Sequence, residues 1–179
     1  MVAFLAAARA TSHRGFIPID DIVRFAIATG MRQGEIVGLR WEDLNETDRT
    51  ILIRDRKDPQ VKLGNNQTVP LLGESFEIIQ AQPIIDDRIF PYHGDSVRSR
   101  FERLCLLAGI VDLTFHDLRH EGISRLFEQG YQIQEVALVS GHRSWKNLAR
   151  YTQLRAVDLH RAPRFTKIDL GLPERTDRR

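Results

Sequence analysis

The chain has 179 residues, 42% of them hydrophobic, with 26 Lys/Arg against 24 Asp/Glu and a formal charge of +2. That length suits one domain with a substantial core, or one domain plus a tail, and so even a balance does not by itself mark a nucleic-acid binder. No apolar run approaches a membrane span, "MVAFLAAARA" has no basic flank of signal-peptide type, and the lone Cys105 can form no intramolecular disulfide. The expectation is a soluble cytoplasmic protein.

Along the chain, "IDDIVRFAIATG" has helical apolar spacing and stops at Gly30. "MRQGEIVGLRWEDL" resumes as a second short helix, which puts Arg32 at a helix-to-helix junction. "TILIRDRK" and "NQTVPL" are β-rich runs flanking Gly64, Asn65 and Asn66, and predict a hairpin. Helices are expected at about 74–81, 96–108 closed by Gly109, 115–129 closed by Gly130, 132–140 and 144–154. Cys105 falls on the apolar side of the second of these, as a small core residue. Beyond about 156 the sequence turns basic and mixed, and reads as an arm or tail. The fold class is mainly α with one small antiparallel sheet (α+β).

Charge distribution says more than net charge. Residues 98–155 carry nine Lys/Arg against six Asp/Glu, several beside histidines, which suits a local phosphate site. In "TFHDLRH", Thr114 is a candidate N-cap with Asp117 in a box-like position. His116 and Arg119 then share a face near a helix N-terminus, where an anion is already favoured. The plain alternative has His116 in the core and Arg119 paired with Glu121 or Asp117. Arg32 can reach a shared site from its own element, or simply pair with Glu35. Lys57 and Lys62 lie in or near the hairpin and can donate a proton to a leaving oxygen, or sit solvated in a turn. Tyr151 follows His142 by nine residues. Its hydroxyl, with an ordinary pKa of about 10, is useful as a nucleophile only where cations surround it.

Together, "TGMRQGE", Lys57, "HDLRH", "GH" and the terminal tyrosine resemble the tyrosine recombinase (phage integrase) family over about residues 20–155. "GLRWEDL" and "VPL" are familiar flanks. The resemblance implies the tyrosine recombinase catalytic-domain fold and a site-specific DNA strand transferase. In that reading Arg32 and Arg119 clamp the scissile phosphate, while His116 and His142 bond it and assist proton transfer. Lys57 is the general acid for the 5′-hydroxyl, and Tyr151 attacks phosphorus to give a 3′-phosphotyrosyl link. Lys62 stays open as the hairpin lysine; Lys57 is favoured because it directly ends the first strand. Glu121 departs from the family pattern, which has a small or hydroxyl residue there. The resemblance also implies no metal, no ATP and no other cofactor, and double-stranded DNA as partner. It further implies self-association on DNA, possibly as a tetramer, with the C-terminal segment packing in trans. The expected organisation is a catalytic domain over 1–155 and an arm over 156–179, with the N-terminal core-binding domain of relatives absent. The alternative function is a non-catalytic DNA-binding module, because "IQEVALVSGHRSWKNLARY" scans as helix–turn–helix.

Overall fold

The computed structural model describes residues 17–57 and 63–152. Helix α1 spans Ile19–Thr29 and buries Ile19, Ile22, Val23, Ala26 and Ile27 along one stripe. Gly30 ends it in the left-handed region (φ 60°), its N–H bonding Ala26 O at 2.9 Å. Asp20 and Asp21 in the first turn complement the helix dipole. The second helix, α2, covers only Gln33–Val37. The expected continuation through "RWEDL" is instead a 3-10 turn at Trp41–Asp43 and a two-residue strand β1, Leu44–Asn45.

Strands β2 (Thr50–Ile53) and β3 (Gln67–Pro70) pair antiparallel, Ile51 opposite Val69, and β1 extends the sheet with Leu44 opposite Ile51. β2 alternates as expected of a strand buried on one face: Ile51 and Ile53 point into the core and Thr50 and Leu52 do not. Helices α3 (Ser75–Gln80), α4 (Gly94–Leu107), α5 (Phe115–Glu128) and α6 (Ile133–Ser140) follow. Cys105 is a buried free thiol on α4, as expected.

The predicted last helix is not an α-helix. Residues Trp145–Asn147 and Ala149–Tyr151 are two 3-10 turns. Leu148 is the only buried side chain between Arg143 and Thr152, too few anchors for a continuous apolar stripe. The helix–turn–helix alternative loses its second helix with it. Residues 153–179, including the proposed arm, and Lys62 lie outside the described residues.

One core cluster joins α1, the sheet, α3 and α4; a second lies under α5 and α6 and takes in Leu148. The principal helix contact is α1 on α5, and Gly122 makes it close: a Cβ there would stand 2.4 Å from Ile27 O. That approach sets Gly30, at the end of α1, against the middle of α5, where Arg119 lies.

Candidate active site

Arg119 leaves α5 toward the interior and is only 3% exposed. Its Nη1 donates to Gly30 O at 2.6 Å and its Nη2 to Ser140 O at 2.7 Å, so the ends of α1 and α6 both hold it. It pairs with neither carboxylate that the sequence offered. Glu121 bonds Arg125, and Asp117 accepts from the Thr114 N–H and hydroxyl at 2.7 and 2.6 Å. Burial first, then Arg32, brings the Arg119 guanidinium down to about 10. It stays a cation at neutral pH.

Arg32 stands at the N-terminus of α2 and does pair with Glu35, Nη1 to Oε1 at 2.6 Å, while its N–H meets Oε2 at 3.0 Å. The pair and a site role coexist, because the side chain also lines the cleft described below. Glu35 is shared with Arg56, whose Nε is 3.3 Å from Oε1. Burial alone would raise the Glu35 carboxyl; Arg56 and Arg32 outweigh it and hold the group below its usual range.

Arg56 is a residue that the sequence reading passed over. It is 2% exposed, and donates to Gln67 Oε1 at 2.9 Å and to Val139 O at 2.9 Å. The loop base places it: Arg56 N–H bonds Asn65 O at 2.8 Å, and Asn65 Nδ2 returns a bond to Arg56 O at 2.6 Å. Arg54 on one side faces out to Asp43 and Glu42, and Lys57 on the other is exposed. Gly141 is required beside this guanidinium, since its φ is 71° and a Cβ would meet Arg56 Cζ at 2.6 Å.

That glycine carries the chain into His142. Ser140 Oγ spends its proton on Val136 O at 2.5 Å, so it accepts from His142 Nδ1 at 2.7 Å. This fixes the ring with Nε2 open. Burial first, then Arg119, Arg32 and Arg56, drops His142 to about 4, so it is neutral at pH 7.

His116 is exposed rather than in the core. It meets the ring of His120 edge-on, centroids 4.9 Å apart. His120 in turn is hydrogen-bonded through Nδ1 to the Tyr151 hydroxyl. The Tyr151 ring stacks on Phe127 at 6.4 Å and 18°. A cleft of about 410 Å³ is lined by Arg32, His116, Arg119, His142 and Tyr151 among others. Five of the six predicted site residues therefore meet in one place. Lys57, the sixth, stands outside the lining. His120, Lys146, Asn147 and Arg150 line it too, unforeseen. The signals were available: His120 is one turn on from His116, and Lys146 and Arg150 flank the tyrosine. No carboxylate is among the described lining residues, and no described group of three His, Cys, Asp or Glu is gathered for a metal. The cleft is chemically a seat for an anion beside a phenol.

The family model described as "Phage integrase family" matches residues 2–157, most of the chain. The chain belongs to the phage integrase family. Among members, it is 39% identical over 140 residues to the shufflon-specific DNA recombinase of Escherichia coli, covering 77% of this chain and 35% of that protein. To the tyrosine recombinase XerC of Staphylococcus carnosus it is 28% identical, covering 93% of this chain and 61% of that one. The integrase-family fold is matched by a lambda integrase dimer bound to a core site, with a TM-score of 0.67 at 20% identity over 93% of this chain and 49% of that one. The chain thus spans about a third of the length of the curated recombinase most like it among those named here. No helix among the described residues is long and apolar enough to cross a membrane.

Proposed function

We propose that the chain cleaves and rejoins strands of duplex DNA at specific sites through a 3′-phosphotyrosyl intermediate. The observation that carries this is the Tyr151 hydroxyl, held in one cleft with Arg32, Arg119, His116 and His142. A phosphate seated there meets two guanidiniums, one of them locked by backbone carbonyls before any ligand arrives. Such preorganised positive charge is what a phosphorane with extra negative charge needs. Arg32 and Arg119 clamp the non-bridging oxygens. His116 and His142 bond the phosphate; an anion beside His142 opposes the cations that keep its pKa low and favours Nε2 as a donor.

Tyr151 attacks phosphorus and Lys57 protonates the departing 5′-hydroxyl. Lys57 is exposed beside the buried Arg56, on the loop that leaves β2. It comes to the cleft from that loop when DNA is bound. The bond energy stays in the phosphotyrosine, so a 5′-hydroxyl from another strand reverses the step. The partner is double-stranded DNA, on which copies of the chain associate, up to a tetramer, with residues 156–179 packing on a neighbour. The exposed basic residues make that binding salt-dependent.

The test is covalent capture. A pool of nicked duplexes with a randomised core is incubated with the wild type and with Tyr151→Phe in EDTA, then denatured. The expected result is a denaturant-resistant protein–DNA adduct with the wild type alone. No adduct with the wild type, or equal adduct with both, sinks the proposal.

A further inference from the structure

In the cleft, the Tyr151 hydroxyl does not stand free. It is hydrogen-bonded to Nδ1 of His120, and the two rings lie 5.8 Å apart at 32°. Seven residues further along α5, Phe127 stacks on the tyrosine ring, so a single helix face holds both ends of the side chain. His116 reaches the ring of His120, and among the described contacts it does not reach the hydroxyl. A phenol whose oxygen is to attack phosphorus must lose its proton to a group within hydrogen-bond reach. His120 is that group.

We infer that His120 is the general base that takes the phenolic proton of Tyr151 as its oxygen attacks phosphorus. The inference rests on the strand-transfer reading above. In the cleavage direction the Tyr151 O–H donates to Nδ1, while the other ring nitrogen carries the imidazole's own hydrogen. The Oη–P bond forms, the P–O5′ bond breaks, and the proton passes to Nδ1. In rejoining, a 5′-hydroxyl attacks and gives its proton back to Lys57, the P–O5′ bond forms, the Oη–P bond breaks, and Nδ1–H returns its proton to the phenolate. No oxidant, metal or co-reactant enters.

The surroundings keep His120 in the form this role requires. Burial, then Arg150 from the last turn and His116 from its own helix, lower its pKa below the usual imidazole range, with Arg119 adding to them. Asp117 opposes these, and does not reverse the direction. At neutral pH the ring is uncharged and its nitrogen is open to a proton.

The experiment is single-turnover adduct formation on nicked duplex whose scissile 5′-bridging oxygen is replaced by sulfur. A thiolate departs without a proton, so the rate reports the nucleophile's side of the reaction. Wild type, His120→Ala and His120→Gln are compared from pH 5 to 9, with and without imidazole, and duplex affinity is measured alongside. The wild-type rate is expected to rise with pH and level off once His120 is neutral. Both variants should bind duplex as the wild type does and be slower by about 10²–10⁴-fold, the usual worth of a positioned base. Their plateau should vanish, and imidazole should restore part of the rate to His120→Ala. A wild-type rate in His120→Ala, or a faster one, overturns the inference and makes the contact a latch. A slower variant with an unchanged pH profile and no imidazole rescue also overturns it, because only structure was lost. If the wild type itself forms no adduct, the strand-transfer reading fails and this inference falls with it.

Discussion

Arg119 and Arg56 are almost wholly buried, and their donors are taken by backbone carbonyls at Gly30, Ser140 and Val139 and by Glu35 and Gln67. Tyr151, which lines the same cleft as Arg119, sits half-buried on a 3-10 turn and is held by two side chains of α5. These two cations, Arg119 in the cleft and Arg56 behind it, are thus fixed by residues of four elements, and moving them means unpacking the domain. Tyr151, the proposed nucleophile, packs at the edge of the second core cluster and is held by the rings of Phe127 and His120, by Arg150 over its own ring and by one side-chain hydrogen bond. Charge stabilisation works best when it needs no reorganisation, whereas a nucleophile must travel along a bond as it forms.

The largest test of this contrast is Arg56→Met set beside Tyr151→Phe. Methionine fills the stem's space but strips Glu35 of one partner and leaves Gln67 Oε1 and the carbonyl of Val139 without this donor. Breaking a buried pair from one side costs about 3–5 kcal/mol, and the retained Arg32–Glu35 bond argues for the lower figure. Removing the tyrosine hydroxyl should cost about 1 kcal/mol or less. Denaturant midpoints measure both. Equal losses would show that the two regions are not built differently.

That contrast also explains how much could be foreseen. Gly30 as a stop for α1 and the alternation in β2 are local patterns, and each stands where the sequence puts it; Arg32, His116, Arg119, His142 and Tyr151, singled out by their order, line one cleft, with Tyr151 on a 3-10 turn rather than in the expected helix. Arg56 was illegible because its partners are 21 and 83 residues away, at Glu35 and Val139. In "RDRK" it reads as one more charge at a strand end. The bond between His120 and Tyr151 spans 31 residues and is set by how the last turns lie on α5. The turns themselves were mistaken for a helix because Leu148 and Tyr151, three apart, fit either period until burial is known. The short β1 carries too few residues for any alternation to show.

Acid titration gives the next largest effect, and it probes the cation side. His142 is held at about 4 in the fold by burial, Arg119, Arg32 and Arg56; unfolded, it titrates near 6.5. The unfolded chain therefore binds the proton first. Stability from this group is complete above about pH 6.5 and is lost as pH falls toward 4. The ring is partly exposed, and solvent screening reduces the loss to about 1 kcal/mol. Unfolding free energies at pH 7, 6, 5 and 4 should decline less steeply in His142→Gln than in the wild type. Parallel slopes would mean that neither burial nor the nearby arginines hold this ring's pKa down.

The smallest effect belongs at the start of α5, the helix that carries parts of both regions. Thr114 donates its hydroxyl to Asp117 Oδ2, and its N–H bonds the same oxygen. Those bonds, the hydroxyl's first, hold the Asp117 carboxyl below its usual range. Thr114→Ala removes the hydroxyl and keeps the N–H. The loss should be about 0.5–1 kcal/mol, the lower part of the range for a cap residue. Asp117 should titrate closer to an ordinary carboxylate, because one of its two donors is gone. Arg119, anchored by Gly30 O and Ser140 O a turn further on, should not move, whereas His116 stands in the first turn with no such anchor among the described contacts. Proton NMR of the histidine and carboxylate resonances checks this. A shift at Asp117 and His116 with His142 unchanged confines the damage to the exposed turn. A shift at His142 as well would mean that the cap holds the buried cations in place, and that the two regions are one.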